Sequence, residues 1–397
     1  MSFLTDGQLL LLILWLVYYT DCFVWLNKHS ILFNNWWGAQ WLAVVASNNF
    51  GTAWGGLAAL NPFPPFGSHC INQVFPLSVS PEYVAAYNTQ TVAPGGRPAQ
   101  VGTVLAYEDI SNIEIRESDI WIDNKLFCKF RFQALAYITA DFIGQLKQAT
   151  SSERMLLIDS FWIKRLDIMS AAKEFQQISA RLYSLRMSCL LMFIYLYIIL
   201  PLVTNYYGIS QLMIPAAGTM FVMAIPVIAK FFLLHHAIYP NLRTDRITHA
   251  CKMFLCPPVA IRATDYIIEQ FGSKYDILSL VVFFLNDQSK EKFLALYLRD
   301  LRHPVSIDDD NSLLSDICSW QNSTVLRIAD QHLPAIASII ESTLSSPKKQ
   351  FPDSISYCPR CLVQLSVKDK NCPDCNGVAL IAFDEGSALK SEGGDCV

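Results

Sequence analysis

Two apolar runs, Met187–Tyr207 (MSCLLMFIYLYIILPLVTNYY) and Gln211–Leu234 (QLMIPAAGTMFVMAIPVIAKFFLL), stand three residues apart. A helix needs about 20 mostly apolar residues to cross the hydrocarbon core of a bilayer. Two such runs joined only by Gly208-Ile209-Ser210 leave room for a helical hairpin and little else, because backbone in hydrocarbon must satisfy its own hydrogen bonds. Pro201, Pro215 and Pro226 are read as kinks in this hairpin. A third apolar run, Leu9–Leu26 within residues 7–26, is interrupted by Asp21. No basic residue precedes it and no small-x-small cleavage site follows, so it reads as an uncleaved anchor and not as a signal peptide. The composition agrees with a membrane protein: 52% of residues are apolar and 16% charged, and the mean hydropathy is positive.

Orientation follows from the flanking cations. Lys164, Arg165, Lys173, Arg181 and Arg186 precede the hairpin, and Arg243, Arg246 and Lys252 follow it, while its turn carries none. An excess of Lys and Arg marks the cytoplasmic side. Three spans then place the N-terminus outside the cytoplasmic (inner) membrane, with residues 27–186 and 240–397 inside. The net charge of −4 gives no general pull toward nucleic acid or anionic lipid. Twelve cysteines are scattered from Cys22 to Cys396, which is not the pattern of a disulfide scaffold.

The segments outside the spans divide by pattern. Residues 30–150 read as a strand-rich α+β unit. Ser30–Ser80 contains no Asp, Glu, Lys or Arg and is broken into short apolar runs such as WLAVVAS and GGLAAL by turn signals, which reads as buried sheet or, through Trp36, Trp37, Trp41 and Trp54, as a surface against the headgroups. Ile113 and Ile115, then Ile120 and Ile122, alternate with polar residues around the turn signals ESD and DNK, which predicts antiparallel strands. QALAYITADFIGQLKQA then switches to helical spacing. Residues 151–186 form an amphipathic stripe, Ile158, Trp162, Leu166, Met169, Ala172, Phe175, Ile178, Leu182 and Leu185. With no glycine or proline before Pro201, one unbroken helix is expected to run into the membrane, its stripe covering the chain's own core or forming a self-association seam. Residues 240–345 alternate helical patterns with breakers at Pro257-Pro258, Gly272 and Pro304, and DILSLVVFFL is too short to span. SSPKKQFPDS reads as a linker within residues 346–356.

Near the end stands Cys358-Pro-Arg-Cys361, then ten residues, then Cys372-Pro-Asp-Cys375. Four thiols in two Cys-x-x-Cys pairs suit structural zinc, rubredoxin-like iron or thiol–disulfide exchange. Nucleic-acid binding is disfavoured because Arg360, Lys368 and Lys370 are offset by Asp369, Asp374 and Asp384. Metal binding needs reduced thiols, which agrees with a cytoplasmic C-terminus. Over residues 357–384 the motif resembles the small bacterial zinc-ribbon family, with its repeated Cys-Pro-x-Cys knuckles and similar interval. The sequence departs from that family at Leu362 and Asn376, where the family carries glycine; Gly377 follows the second. The left-handed turn after a ligand favours glycine or asparagine. The resemblance implies a closed structural Zn2+ site on Cys358, Cys361, Cys372 and Cys375, with no coordination position open to substrate. Residues 385–397 form a tail.

The expectation is therefore an α+β multidomain integral membrane protein with three transmembrane helices (7–26, 187–207 and 211–234). It would act as a scaffold or regulator that displays the ribbon to a cytoplasmic or membrane protein partner. The alternative is a membrane enzyme or transporter component that uses Asp21, Lys230 and His235 near the cytoplasmic face. His249, Cys251 and Cys256 match no metal spacing, and Asp308-Asp309-Asp310-Asn311 lacks the glycine and glutamate of a calcium loop. The chain carries no phosphate-cradling glycine loop, nucleophile elbow or His-Glu-x-x-His.

Overall fold

The computed structural model describes residues 4–23, 31–34, 68–71, 77–89, 100–130, 133–284, 287–303, 312–334, 336, 339, 345–366, 370–375 and 378–383. The four tryptophans between positions 36 and 54 and the acidic run at 308–311 lie outside these residues. Helix α1 (Asp6–Phe23) comes first. Strands β1 (Ile31–Asn34) and β2 (Ser68–Ile71) pair antiparallel. Two antiparallel meanders follow, β3 (Leu77–Val79), β4 (Tyr83–Thr89) and β5 (Gln100–Ala106), then β6 (Ile113–Arg116), β7 (Asp119–Ile122) and β8 (Lys125–Lys129).

The second meander forms as its alternation predicts, with Ile113 opposite Ile122 and Ile115 opposite Ile120. Asp123 and Asn124 both take positive φ, 50° and 62°, the hairpin turn that asparagine and aspartate tolerate. Helix α2 (Gln133–Gln148) lies on β6 and β7 through Leu135, Ala136, Thr139, Phe142, Ile143 and Leu146. Helix α3 (Ser151–Arg165) starts where the Glu153 carboxylate accepts the Thr150 N–H at 2.8 Å.

The absence of glycine and proline from residues 151–200 predicts one helix; the structure breaks it at Leu166–Asp167. Asp167 accepts from the backbone N–H and the hydroxyl of Ser170, at 3.0 and 2.6 Å, and so caps a new helix, α4 (Ile168–Ile194). The predicted stripe is buried in the chain's own core, except Met169, which is 79% exposed, and the half-buried Ala172. A π turn over Tyr195–Ile199 carries α4 into α5 (Leu200–Tyr207). Pro201 supplies its cause: it has no N–H and its ring clashes one turn back, so the winding loosens. Gly208, at φ 86°, makes the hairpin turn by itself, and α6 (Ile209–Ile238) returns with Pro215 and Pro226 inside it.

Two helices, Ile168–Tyr207 and Ile214–Ile238, are long and apolar enough to cross a membrane. Helix α1, expected as a third span, is not among these two: its described apolar part, Asp6–Tyr18, is shorter. It still packs against the hairpin. The Asp6 carboxylate accepts the Ile209 N–H at 2.8 Å, and Tyr197 donates to the Leu14 carbonyl at 3.3 Å, so α1 runs antiparallel to α5 with its start beside the turn. Gly7 permits the approach: a Cβ there would run into the Pro201 carbonyl oxygen.

The described helices within residues 240–345, expected as a cytoplasmic helical unit, share one hydrophobic core with the hairpin. Helix α7 (Arg243–Leu255) folds back along α6, bringing Phe254 to Phe221 with ring centroids 5.7 Å apart. A 3₁₀ turn over Pro257–Arg262 leads into α8 (Ala263–Ser273), buried on every side. Tyr266 faces Phe231 of α6, and Phe271 faces Phe175 of α4. Helix α9 (Ile277–Phe284) rests on α4, and α10 (Asp287–Arg302) and α11 (Ser312–His332) complete the set. The Gln321 amide of α11 accepts from Val79 N–H at 2.8 Å and donates to the Leu77 carbonyl at 3.3 Å, covering the edge of β3. The C-terminal strands β9 (Ser356–Tyr357), β10 (Gln364–Leu365) and β11 (Ile381–Ala382) form a separate sheet with β9 in the middle.

Candidate metal centre

The two cysteine pairs sit on matching turns. Cys358 follows β9; its N–H donates to the Val363 carbonyl at 3.0 Å, and Leu362 N–H donates back to the Cys358 carbonyl at 2.9 Å. In the second turn, Cys372 N–H donates to the Val378 carbonyl at 2.8 Å. Leu362 takes φ 62°, the left-handed conformation that favours glycine. The departure from the zinc-ribbon pattern noted in the sequence is thus a strained side chain in an otherwise regular turn.

All four cysteines are free thiols, and their sulphur atoms lie within 4.8 Å of one another. Cys361 Sγ and Cys372 Sγ are 3.8 Å apart. A tetrahedron with metal–sulphur bonds of about 2.3 Å has edges of about 3.8 Å, so the donor set and its spacing fit zinc. The local electrostatics sort the thiols. For Cys358, burial disfavours the thiolate, but backbone N–H groups of Cys361 and Arg360 point at the sulphur and bring its pKa below the ordinary thiol value. Burial pushes Cys361 up to about 11, against the N–H of Val363. Cys375 is also raised by burial and by its sulphur neighbours. Sulphurs this close resist ionising together without a cation, and a dication removes that penalty.

The module has its own small core of Cys358, Cys372, Cys375 and Val378, with Leu380 against it. The segment read as a linker belongs to it: Gln350 N–H donates to Gln364 Oε1 at 2.9 Å, Gln364 donates to the Lys348 carbonyl at 2.8 Å, and Tyr357 to Ser346 at 3.1 Å.

Of the alternative site's residues, Lys230 and His235 face different neighbours. Lys230 donates to Ser188 Oγ at 2.7 Å and to the Ser184 carbonyl at 3.3 Å, both on α4. His235 is fully buried between Phe231 and Tyr239, at 5.3 and 5.4 Å, and neither ring nitrogen has a hydrogen-bond partner among the described residues. Asp21 falls in α1, and its side chain lies outside the described residues. His249 stacks on Tyr266 at 4.2 Å, Cys251 is exposed, and among the described residues only the four C-terminal cysteines form a metal-competent cluster.

One feature the sequence reading passed over is the buried ion pair of Arg262 and Asp265, 3.4 Å apart and 1% and 0% exposed. Its signal was a charged i, i+3 pair inside the apolar run VAIRATDYII. No protein-family model, curated protein or solved structure matches the chain, so its function is argued from these residues alone.

Proposed function

We propose that the protein is a membrane-anchored scaffold or regulator that presents a structural zinc ribbon to a protein partner in the cytoplasm. The observation that carries this is the closed four-sulphur set on a module with its own core, beside a body that holds two apolar helices of spanning length. Four thiolates fill the coordination of zinc, so the metal serves the fold and the surface around it is free to dock. The hairpin Ile168–Tyr207 and Ile209–Ile238 spans the cytoplasmic membrane, and α1 completes the bundle with its start beside the turn. In support, α1 keeps an apolar outer face at Leu9, Leu12, Ile13 and Leu16, as α6 does at Ile214, Val222, Ile225 and Leu233. Lys164, Arg165 and Lys173 before the hairpin and Arg243 after it stand toward the ends away from Gly208, which favours a cytoplasmic C-terminus and an exterior N-terminus. The enzyme or transporter alternative is the less favoured reading, because Lys230 and His235 face different neighbours.

The test combines metal content with partner capture. Purified protein is expected to hold one zinc per chain, and Cys358→Ser or Cys375→Ser to release it while the protein still reaches the membrane. Crosslinking in native membranes should recover a partner with the intact chain and not with these variants. Equal recovery from both would refute the docking role.

A further inference from the structure

A cavity of about 390 Å³ opens where α4, the end of α6 and the α8–α9 turn meet. Lys173, Glu174, Gln177, Arg181, Ile238 and Tyr275 are among the residues that line it. Its one carboxylate is already engaged. Glu174 Oε1 accepts from Lys274 Nζ at 2.5 Å, and Oε2 accepts from the Tyr275 hydroxyl at 2.8 Å. Lys173 and Arg181 have no hydrogen-bond or ion-pair partner among the described residues. They stand eight positions apart on α4 with Gln177 between them, on one side of the helix. That spacing is about 12 Å along the axis, a gap that two long basic side chains close around a tetrahedral anion. The cavity thus offers a surplus of positive charge, a guanidinium fork, an ammonium group and an amide, the donor set that recognises phosphate.

Its depth adds a second argument. Helix α6 has 30 residues and is about 45 Å long, close to the thickness of a bilayer including its headgroups, about 40–45 Å. With Gly208 at one surface, Ile238 falls at the phosphate level of the other. Ile178, which also lines the cavity, lies as many residues before Gly208 as Ile238 lies after it.

We propose that this cavity binds a phosphate ester through Lys173, Gln177 and Arg181, with an anionic lipid of the cytoplasmic leaflet as its source. The source rests on the membrane placement argued above; the site itself does not. Full-length protein in detergent micelles is titrated with short-chain phosphatidic acid, with short-chain phosphatidylcholine, and with glycerol 3-phosphate. Wild type is compared with the Lys173→Gln/Arg181→Gln double variant, the conservative Lys173→Arg/Arg181→Lys pair, and Lys164→Gln as a control for an exposed lysine elsewhere. Wild type, the conservative pair and the control are expected to bind phosphatidic acid alike, and the double Gln variant at least ten-fold more weakly with an unchanged melting temperature. Phosphatidylcholine and glycerol 3-phosphate should bind far more weakly to all. If glycerol 3-phosphate binds wild type as tightly as the lipid and the double variant loses both, the phosphate site is upheld and its lipid source is overturned. If the double variant binds phosphatidic acid as tightly as wild type, the proposal is overturned.

Discussion

The metal module and helix α8 hold short segments in opposite ways. Around the four sulphurs, the buried cluster contains three cysteines and Val378, and the strands are two residues long. Such a core is too small to fold unaided, so on the proposed reading metal–sulphur bonding supplies the energy that holds it. Helix α8 buries all of its residues, including Asp265, Glu269 and Gln270, under α4, α6 and the 3₁₀ turn. A charge there depends on a neighbour for its solvation. Damage to the module should therefore stay local, whereas damage to α8 should reach the whole body.

The largest effect is expected at the buried pair. Asp265→Ala removes the carboxylate that lies 3.4 Å from Arg262, and breaking a buried ion pair costs about 3–5 kcal/mol. The variant should accumulate poorly and melt far below wild type in detergent; a wild-type melting curve would remove the contrast with the module. Next comes the helix contact at the hairpin. Gly7→Leu drives a side chain into the Pro201 carbonyl and should cost about 1–3 kcal/mol by overpacking. Thermal melting would register it, and faster proteolysis of the N-terminal segment would show α1 lifting from α5. Asp167→Ala removes the cap between α3 and α4 and should lower stability by about 1 kcal/mol. The smallest effect sharpens the comparison from the other side. Leu362→Gly relieves a left-handed leucine worth about 1 kcal/mol, so the module should hold zinc more tightly in competition with a chelator while the melting of the body is unchanged.

Much of this was legible before any coordinates. The hairpin followed from two apolar runs and a three-residue gap, because bilayer thickness fixes helix length. The β6–β8 meander followed from isoleucines at period two and from Asp123-Asn124, and the sulphur set from ligand spacing. What stayed hidden depends on contacts between distant segments. The break at Leu166–Asp167 is fixed in part from far along the chain, because Arg165 beside it donates to the Ser273 and Tyr275 carbonyls. Gly7 looks ordinary until Pro201 is laid against it. Gln321 gives no local sign that it will complete the edge of β3. The fold-back of α7 along α6 was missed because its charged residues, Arg243, Asp245, Arg246 and Lys252, suggest a helix in water; Arg246 in fact lies buried over Phe232, 5.0 Å from the ring.

The central claim is that a metal holds a module with its own small core on a body that does not need it. Hydrogen exchange by mass spectrometry on the full-length protein in detergent, before and after stripping zinc with a chelator, tests this directly. One equivalent of zinc should leave, and exchange should rise across residues 345–383 while α4, α6 and α8 keep their protection. Absence of bound metal at the start, or loss of protection that spreads into α8, would contradict the account.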